Sequence, residues 1–177
     1  LKKKDLDYHE TGITHGTVTA VINQYNFEIT SLREDLNTDG RHAEVRFSTD
    51  WKQDALRRDF TINSIYSDIF GNLFDPFNGR EDLKRGIVKF IGEPEVRIKE
   101  DYLRILRYLR FYLSYSTHKH DLKTIKIIKK NIAGISILSK ERLMDELKKY
   151  VKSNLLQKLS KDKFSLEIFK IIFPQIL

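Results

Sequence analysis

The chain has 177 residues, of which 40% are hydrophobic and 32% are charged, and it contains no cysteine. One domain or two small ones fit this length, since a domain of this size buries roughly 70% of the surface that its unfolded chain exposes. The lack of cysteine excludes disulfides and thiolate metal sites and fits a reducing compartment. No apolar run approaches the roughly 20 residues of a membrane span, and the first residues lack an apolar signal segment. We therefore expect a soluble cytoplasmic protein with no membrane partner.

The net charge of +7 is distributed unevenly along the chain. Residues 1–100 contain 15 Lys and Arg against 18 Asp and Glu, a balance of −3, whereas residues 101–177 contain 17 against 7, a balance of +10. An acidic part followed by a basic part suits a metal-binding region joined to a phosphate-binding region. A lysine-rich, solvated helical surface explains the same charges equally well.

The first third of the sequence has the pattern of strands and turns. Residues 17–22 are rich in β-branched side chains and residues 27–32 alternate apolar and polar, which predicts a β-hairpin with its turn at 23–26. The polar stretch 37–54 has no sustained periodicity and is expected to be a mobile loop.

The next segment continues with short elements. Residues 55–64 predict a short helix, and a second hairpin is expected around the two-residue connection Gly71-Asn72. Its strands are residues 65–70 and 73–75. A further short helix, residues 80–85, is expected to end at Gly86, which tolerates a left-handed conformation.

From about residue 95 the apolar side chains recur at helical spacing. Tyr102, Leu106, Leu109 and Leu113 form one stripe, and residues 122–130 predict a second helix. Ser139 is the expected N-cap of a third helix, and residues 155–177 predict one or two more. The sequence therefore predicts an α+β protein, with a small mixed β-sheet followed by an all-α segment.

The segment Arg57-Arg58-Asp59 places two cations beside an anion. One interpretation is that Asp59 holds one arginine and directs it at a phosphate. The alternative is structural, with Asp59 as a helix N-cap and both arginines on the surface.

A second group of charges lies on the helix that follows residue 100. Arg104, Arg107 and Arg110 fall within an arc of about 120°, with Asp101 just beyond Arg104. Three arginines on a partly apolar face can hydrogen-bond a base edge and bind phosphates. An acid three residues before an arginine is also an ordinary helix-stabilising pair.

Acidic and basic residues outside these segments supply weaker signals. Asp5 and Asp7 lie at strand spacing and Glu28 lies on a neighbouring predicted strand, so the three carboxylates are candidate ligands of Mg²⁺. Residues 118–121 (His-Lys-His-Asp) resemble a fragment of a metal site but lack partner histidines, and we interpret them as a loop between helices. Four lysines could hold RNA phosphates nonspecifically: Lys123, Lys126, Lys129 and Lys130.

Together these segments resemble the class II tRNA nucleotidyltransferases, or CCA-adding enzymes, and the related bacterial poly(A) polymerases of the polymerase β superfamily. The resemblance extends from about Thr11 to at least Tyr150. It is carried, in this order, by Thr11 to Thr17, Phe27 to Thr30, Asp39 to Ala43, Arg57 to Asn63, Asp75-Pro76 with Gly79 and Asp82-Leu83, Ile91 to Pro94, Glu100 to Arg110, and Ser139 to Arg142 with Glu146.

The resemblance implies three regions along the chain. Residues 1–92 are expected to form a nucleotidyltransferase head, residues 93–150 a helical neck that recognises the base, and residues 151–177 the start of a helical body. In the family, a Gly-rich segment precedes a pair of aspartates separated by one residue, which Asp5 and Asp7 resemble. This segment has no counterpart here, so we expect the head to be incomplete. We also expect the RNA-binding body to be truncated. At no more than about 3.6 Å per residue, a turn over residues 8–14 could still bring Asp7 back beside the first hairpin.

The resemblance also implies roles for single residues. Asp5 and Asp7 would bind the metal ions and Glu28 would be the third carboxylate, with Mg²⁺ as the cofactor. The nucleotide contacts would be Arg58, Arg110, and the base-reading residues Asp101, Arg104 and Arg107. The implied reaction is transfer of CMP or AMP from CTP or ATP to the 3′ end of tRNA. Two alternatives remain, a poly(A) polymerase that adds only AMP to RNA 3′ ends and a remnant that binds nucleotide or RNA without catalysis.

Overall fold

The computed structural model describes residues 6–13, 16–38 and 43–175. The chain divides into two compact units, residues 1–57 and 58–177. The first unit contains two antiparallel sheets and one short helix, and the second contains a two-stranded sheet and the longer helices. This arrangement confirms the α+β class, whereas the head, neck and body limits at residues 92 and 150 stay predictions. Within the described residues, no helix is long and apolar enough to cross a membrane.

A three-stranded antiparallel sheet opens the first unit. Its strands are β1 (Tyr8–Gly12), β2 (Thr17–Ile22) and β3 (Tyr25–Thr30), in the order β1-β2-β3. The predicted hairpin is confirmed, and its turn consists of Asn23 and Gln24, with φ of 49° and 67°. Positive φ at both central residues matches the twist of the flanking strands.

The segment before β2 brings Asp7 beside the first hairpin, as the length of residues 8–14 allows. It does so as a strand and not as a turn, since Tyr8 to Gly12 pair with β2. The pairing begins before Tyr8, since the Val21 N–H donates to the Asp7 carbonyl at 2.8 Å. Pairing along the open side of β2 satisfies these backbone groups, and this outweighs the turn preference of a short, partly polar segment.

The expected loop at 37–54 also differs from the structure over its described residues, and residues 39–42 lie outside them. The structure has a second hairpin, formed by β4 (Arg33–Thr38) and β5 (Ala43–Phe47), and then helix α1 (Trp51–Leu56). Asp50 caps α1 by accepting from the Lys52 N–H at 2.7 Å. The cap starts the helix before Ala55, and the predicted helix 55–64 is therefore replaced by α1 and a short 3₁₀ turn at Thr61–Asn63.

The second unit begins with short elements. Strands β6 (Tyr66–Ser67) and β7 (Leu73–Phe74) confirm the second hairpin, but the connection has five residues instead of two. Asp68 closes this connection, because its carboxylate accepts from the backbone N–H groups of Phe70 (2.8 Å) and Asn72 (2.9 Å). Helix α2 (Gly79–Lys84) ends before Gly86, which has φ of 64° as expected.

The helices that follow α2 build the core of the second unit. They are α3 (Pro94–Glu100), α4 (Leu103–Tyr115), α5 (Leu122–Asn131), α6 (Lys140–Lys152), α7 (Leu156–Leu159) and α8 (Lys163–Ile172). The predicted stripe of α4 is buried at Leu106, Leu109 and Leu113, and Tyr150 and Phe169 are buried in the same core cluster. Full burial of each such side chain contributes about 1.5–3 kcal/mol. Ser139 is the N-cap of α6 as predicted, accepting from the Arg142 N–H at 3.4 Å.

Candidate functional site

Helix α4 presents three arginines at intervals of three residues. Arg104, Arg107 and Arg110 lie on one face, and their side chains are only 14%, 25% and 16% exposed. Each guanidinium forms an ion pair with an acidic residue of the second unit. The arginine face of α4 is therefore half-buried and fixed in place, not a freely solvated surface.

The partner of Arg107 is Asp59, whose side chain is 4% exposed. Arg107 Nε donates to Asp59 Oδ2, while Oδ1 accepts from the Phe60 N–H and from Asn63 Nδ2, both at 3.0 Å. Burial alone would raise the pKa of Asp59, but the charge of Arg107 and these hydrogen bonds hold it below its usual value. Arg107 is likewise held in its charged form, since Asp59 raises its pKa against the effect of burial.

This pairing answers the question raised by Arg57-Arg58-Asp59. The arginine that Asp59 holds is Arg107, 48 residues further along the chain. Interpreting Asp59 as a helix N-cap is wrong, because Phe60 precedes the 3₁₀ turn and the turn has no side-chain cap. A side-chain contact across 48 residues leaves no local signal in the sequence, so local reasoning assigned Asp59 to its neighbours.

Arg58 lies over the ring of Tyr66, with its guanidinium carbon 4.9 Å from the ring centre. Its Nε donates to the Tyr66 hydroxyl at 3.0 Å, and Nη1 donates to the Asn63 carbonyl at 3.2 Å. Arg97 Nη2 in turn donates to the Arg58 carbonyl at 2.7 Å. The sequence analysis did not identify Tyr66 and Arg97 as partners of Arg58. Their contacts with Arg58 depend on packing between α3 and the segment around Arg58, which local spacing does not reveal.

The start of α4 is held by contacts of two residues, Arg104 and Asp101. Arg104 donates through Nη1 to the Arg97 carbonyl at 2.7 Å and pairs with Glu100. Asp101 Oδ2 accepts from Arg142 Nη2 of α6 at 2.8 Å, and its other oxygen accepts from the Leu103 N–H at 3.1 Å. Of the predicted base-reading residues, Arg104 and Arg107 therefore lie in the first two turns of α4, and Asp101 lies just before this helix.

Arg110 makes the most deeply buried ion pair on α4. Its Nε donates to Glu146 Oε1 at 2.6 Å, and Lys149 Nζ lies 2.9 Å from the other carboxylate oxygen. The Glu146 side chain has no exposed surface. Burial raises its pKa, but the hydrogen bonds from Arg110 and Lys149 lower it by more, so Glu146 remains ionised. Arg110 also lies 4.6 Å from the ring centre of Phe111.

The predicted carboxylates belong to the first unit. Asp5 lies outside the described residues, and Asp7 and Glu28 are both exposed. The register pairs His9 with Thr19 and Thr19 with Glu28, which places Glu28 and Asp7 on the same face because side chains alternate with period two. Strand β2 lies between them and Asp7 is displaced by two residues along the sheet, so their backbones are roughly 12 Å apart.

These two carboxylates supply oxygen donors of the kind that a Mg²⁺ site uses. Carboxylate oxygens are the ligands that Mg²⁺ prefers, and nucleotide phosphates commonly supply the others. No group of three or more His, Asp or Glu within the described ranges is arranged to hold a metal ion. Asp7 and Glu28 therefore need further ligands to form a complete site.

The predicted RNA-binding lysines lie on the exposed face of α5. Lys123 pairs with Glu93 (3.3 Å), Lys129 with Glu167 (2.7 Å) and Lys130 with Glu95 (2.8 Å), while Lys126 is exposed. Exposed pairs of this kind are weak, since water and salt screen them. Phosphates can therefore compete for these lysines at little cost.

The segment 118–121 lies between α4 and α5, as interpreted from the sequence. His120 is 5% exposed, and its Nδ1 and Nε2 contact the Tyr108 hydroxyl (3.1 Å) and Asp162 Oδ1 (3.0 Å). The ring stacks on Tyr112 with centres 3.4 Å apart. Both ring nitrogens thus face protein groups that pack the start of α8 against the core.

Comparisons with known proteins agree with these features. A family model described as the Poly A polymerase head domain matches residues 1–89. Mitochondrial CCA tRNA nucleotidyltransferase 1 of Homo sapiens is 53% identical over 145 residues, which are 81% of this chain and 33% of that protein. The CCA-adding enzyme of Staphylococcus epidermidis is 41% identical over 145 residues, or 81% of this chain and 36% of that protein.

A solved structure shares the fold. The crystal structure of the Bacillus stearothermophilus CCA-adding enzyme in complex with CTP superposes with a TM-score of 0.72 at 31% identity, covering 89% of this chain and 39% of that one. The chain spans about a third of the length of its curated relatives. Since the head-domain model matches half of its residues, the chain belongs to the family of CCA-adding enzymes and poly(A) polymerases.

Proposed function

We propose that the chain takes part in template-independent addition of CMP and AMP, from CTP and ATP, to the 3′ end of tRNA, with release of pyrophosphate. The observation that carries this proposal is the arginine face of α4, in which Arg107 is fixed by buried Asp59 beside Arg104 and Asp101. Its support is the similarity of the chain to relatives named CCA tRNA nucleotidyltransferase and CCA-adding enzyme, and to a CCA-adding enzyme solved in complex with CTP.

The chemistry of α4 matches the two bases. Cytosine and adenine each present an exocyclic amino group beside a ring nitrogen acceptor, whereas uracil and guanine present a carbonyl and a ring N–H there. A carboxylate such as Asp101 accepts from the amino group, and the arginines donate to the ring nitrogen. Side chains of this kind select C and A without a nucleic-acid template. In the proposed site, Arg58 and Arg110 provide further nucleotide contacts.

We propose that Mg²⁺ is the cofactor of the reaction. Asp7 and Glu28, together with Asp5, would hold it, and their shared sheet face supports this for the two described residues. When bound, such ions activate the RNA 3′ hydroxyl and neutralise the triphosphate. The contribution of this chain is to present the carboxylates on one face of a paired sheet, where the backbone hydrogen bonds fix their spacing.

RNA would contact the exposed side of the second unit. Lys123, Lys126, Lys129 and Lys130 lie along α5 and would bind phosphates without sequence preference. Their acidic partners are exposed, so RNA phosphates can replace them, and the attraction to RNA should fall steeply as salt concentration rises.

The proposal also includes a cytoplasmic location for this reaction.

The test is nucleotide incorporation by the purified chain with Mg²⁺ and a tRNA that lacks its CCA end. CTP alone should add C, ATP alone should add nothing, and both together should add C before A. Long A tracts from ATP alone would identify a poly(A) polymerase, and nucleotide binding without incorporation would identify a non-catalytic remnant.

A pair of matched variants sharpens this test. Asp7→Asn with Glu28→Gln should abolish incorporation while CTP binding persists, because the neutral side chains keep the shape of the sheet. Glu10→Gln removes a neighbouring exposed charge from the same strand and should retain activity. Full activity in the Asp7 and Glu28 double variant would overturn the assignment of these two carboxylates.

A further inference from the structure

The carboxylate of Asp59 is used entirely within the protein. Its side chain is 4% exposed, Oδ1 accepts from Phe60 N and Asn63 Nδ2, and Oδ2 accepts from Arg107 Nε. A carboxylate in this position has no exposed oxygen to offer a ligand. Any effect of Asp59 on a bound molecule must therefore pass through one of these partners.

Arg107 is held from one side only. Nε donates to Asp59, and among the described residues Nη1 and Nη2 make no hydrogen bond. The side chain is 25% exposed, and the ring of Phe111 lies 5.9 Å from the guanidinium carbon. Because guanidinium is planar, fixing Nε sets the plane of the whole group and the direction of its two free amino groups.

The position of Asp59 is itself fixed by backbone contacts. The Ile91 N–H donates to the Asp59 carbonyl at 2.9 Å, and the Thr61 N–H donates to the Lys89 carbonyl at 3.0 Å. The intervening Phe60 is fully buried and packs against Phe90 with tilted rings, whose centres are 4.8 Å apart. The carboxylate is thus attached to a part of the backbone that has little freedom to move.

We infer that Asp59 is a positioning residue, which orients Arg107 so that its Nη1 and Nη2 groups face the nucleotide. The inference rests on the proposed nucleotide-binding function of α4. Without Asp59 the guanidinium would sample several rotamers. Binding a nucleotide would then have to order this side chain, and the affinity for each nucleotide would fall. The pair differs from an ordinary buried ion pair in that one partner retains free donors.

The test is a double-mutant cycle on CTP affinity, measured by equilibrium dialysis of labelled CTP and ATP against the full chain. Asp59→Asn should weaken CTP binding by about 2- to 10-fold, as expected when one free side chain must be ordered on binding. In an Arg107→Ala background, Asp59→Asn should cause no further loss, because the group that it orients is gone.

A matched control separates positioning from stability. Asp54 is 1% exposed and pairs with Arg57, so Asp54→Asn also removes a buried charge from an Asp–Arg pair. Both variants should lower the melting temperature, but Asp54→Asn should leave CTP affinity unchanged. Asn63→Ala, which removes one hydrogen bond to Asp59 Oδ1, gives a milder version of the same test if Asp59→Asn does not fold.

The outcomes distinguish this inference from the function on which it rests. If the unaltered chain binds neither CTP nor ATP, the proposed function fails and the inference fails with it. If the unaltered chain binds CTP and folded Asp59→Asn or Asn63→Ala binds it equally well, the inference is overturned and the function stands. Additive losses from the Asp59 and Arg107 variants would also overturn it.

Discussion

Glu146 on α6 accepts a hydrogen bond of 2.6 Å from Nε of Arg110 on α4, and its carboxylate is completely buried. Two more contacts attach α6 to α4 and to the residue just before it. Asp101 pairs with Arg142, and the Tyr150 hydroxyl donates to the Leu106 carbonyl at 2.6 Å. Helix α6 therefore supports the arginine face of α4 at its beginning, middle and end.

Glu146→Gln should destabilise the protein strongly. Removing one partner of a buried pair leaves the other charge uncompensated, and such changes cost about 3–5 kcal/mol. Urea denaturation monitored by circular dichroism measures this cost. Asp145→Asn is the control, since Asp145 is an exposed neighbour paired with Lys148, and it should leave the unfolding midpoint unchanged. Equal midpoints for Glu146→Gln and the unaltered protein would contradict the role assigned to Glu146.

Stability should fall when the pH drops below about 6.5, the ordinary pKa of histidine. Burial lowers the pKa of His120, and the hydrogen bond and charge of Asp162 offset only part of this effect. The unfolded chain then binds a proton that the folded protein resists, so acid favours unfolding. Urea midpoints at pH 7.5 and 5.5 measure the change, above the range where carboxylates titrate. In His120→Gln the fall should be smaller, and an undiminished fall would assign it to other groups.

Gly134 should not tolerate a side chain. A Cβ at this position would overlap the ring of Tyr102, the residue just before α4. Gly134→Ala should therefore destabilise the protein by about 1–3 kcal/mol through overpacking. Tyr102→Ala in the same chain should recover part of this loss, because the ring that the methyl group meets is removed. Simple addition of the two losses in thermal unfolding would show that the residues do not share this space.

The turn of the first hairpin should accept glycine with a gain in stability. Gln24 has φ of 67°, a left-handed conformation that costs an ordinary residue about 1–2 kcal/mol. Gln24→Gly removes this cost, partly offset by the extra freedom of glycine in the unfolded chain. We expect a net gain of roughly 0.5–1 kcal/mol in urea denaturation. Asn26→Gly, within β3 and outside the turn, should lower stability instead.

Helical periodicity predicted the second unit better than strand patterns predicted the first. The stripe from Leu106 to Leu113 and the Ser139 cap depend on residues close in sequence, and both are present. The hairpin of β4 and β5 was taken for a loop because its strands are polar and short. Strand β1 was missed because its pairing with β2 offers no local signal beyond five residues of mixed polarity.

The sequence predicted one part of the candidate site, the positions of the arginines on α4, but it did not predict their partners. Spacing placed Arg104, Arg107 and Arg110 on one face of α4, since helical geometry fixes such relations. It did not reveal their partners, because Asp59 and Glu146 lie 48 and 36 residues away. Nor did it identify Tyr66 as the ring beneath Arg58. Partners of this kind follow from packing, and a single sequence carries no direct record of them.

The central claim is that the arginine face of α4 binds the incoming nucleotide, and equilibrium dialysis of labelled CTP tests it most directly. The unaltered chain should bind CTP, and the Arg104→Ala, Arg107→Ala double variant should bind it at least about 100-fold more weakly, since removal of hydrogen-bonded charged groups costs several kcal/mol. Circular dichroism should show that the variant remains folded. Unchanged CTP affinity in the folded double variant would contradict the account.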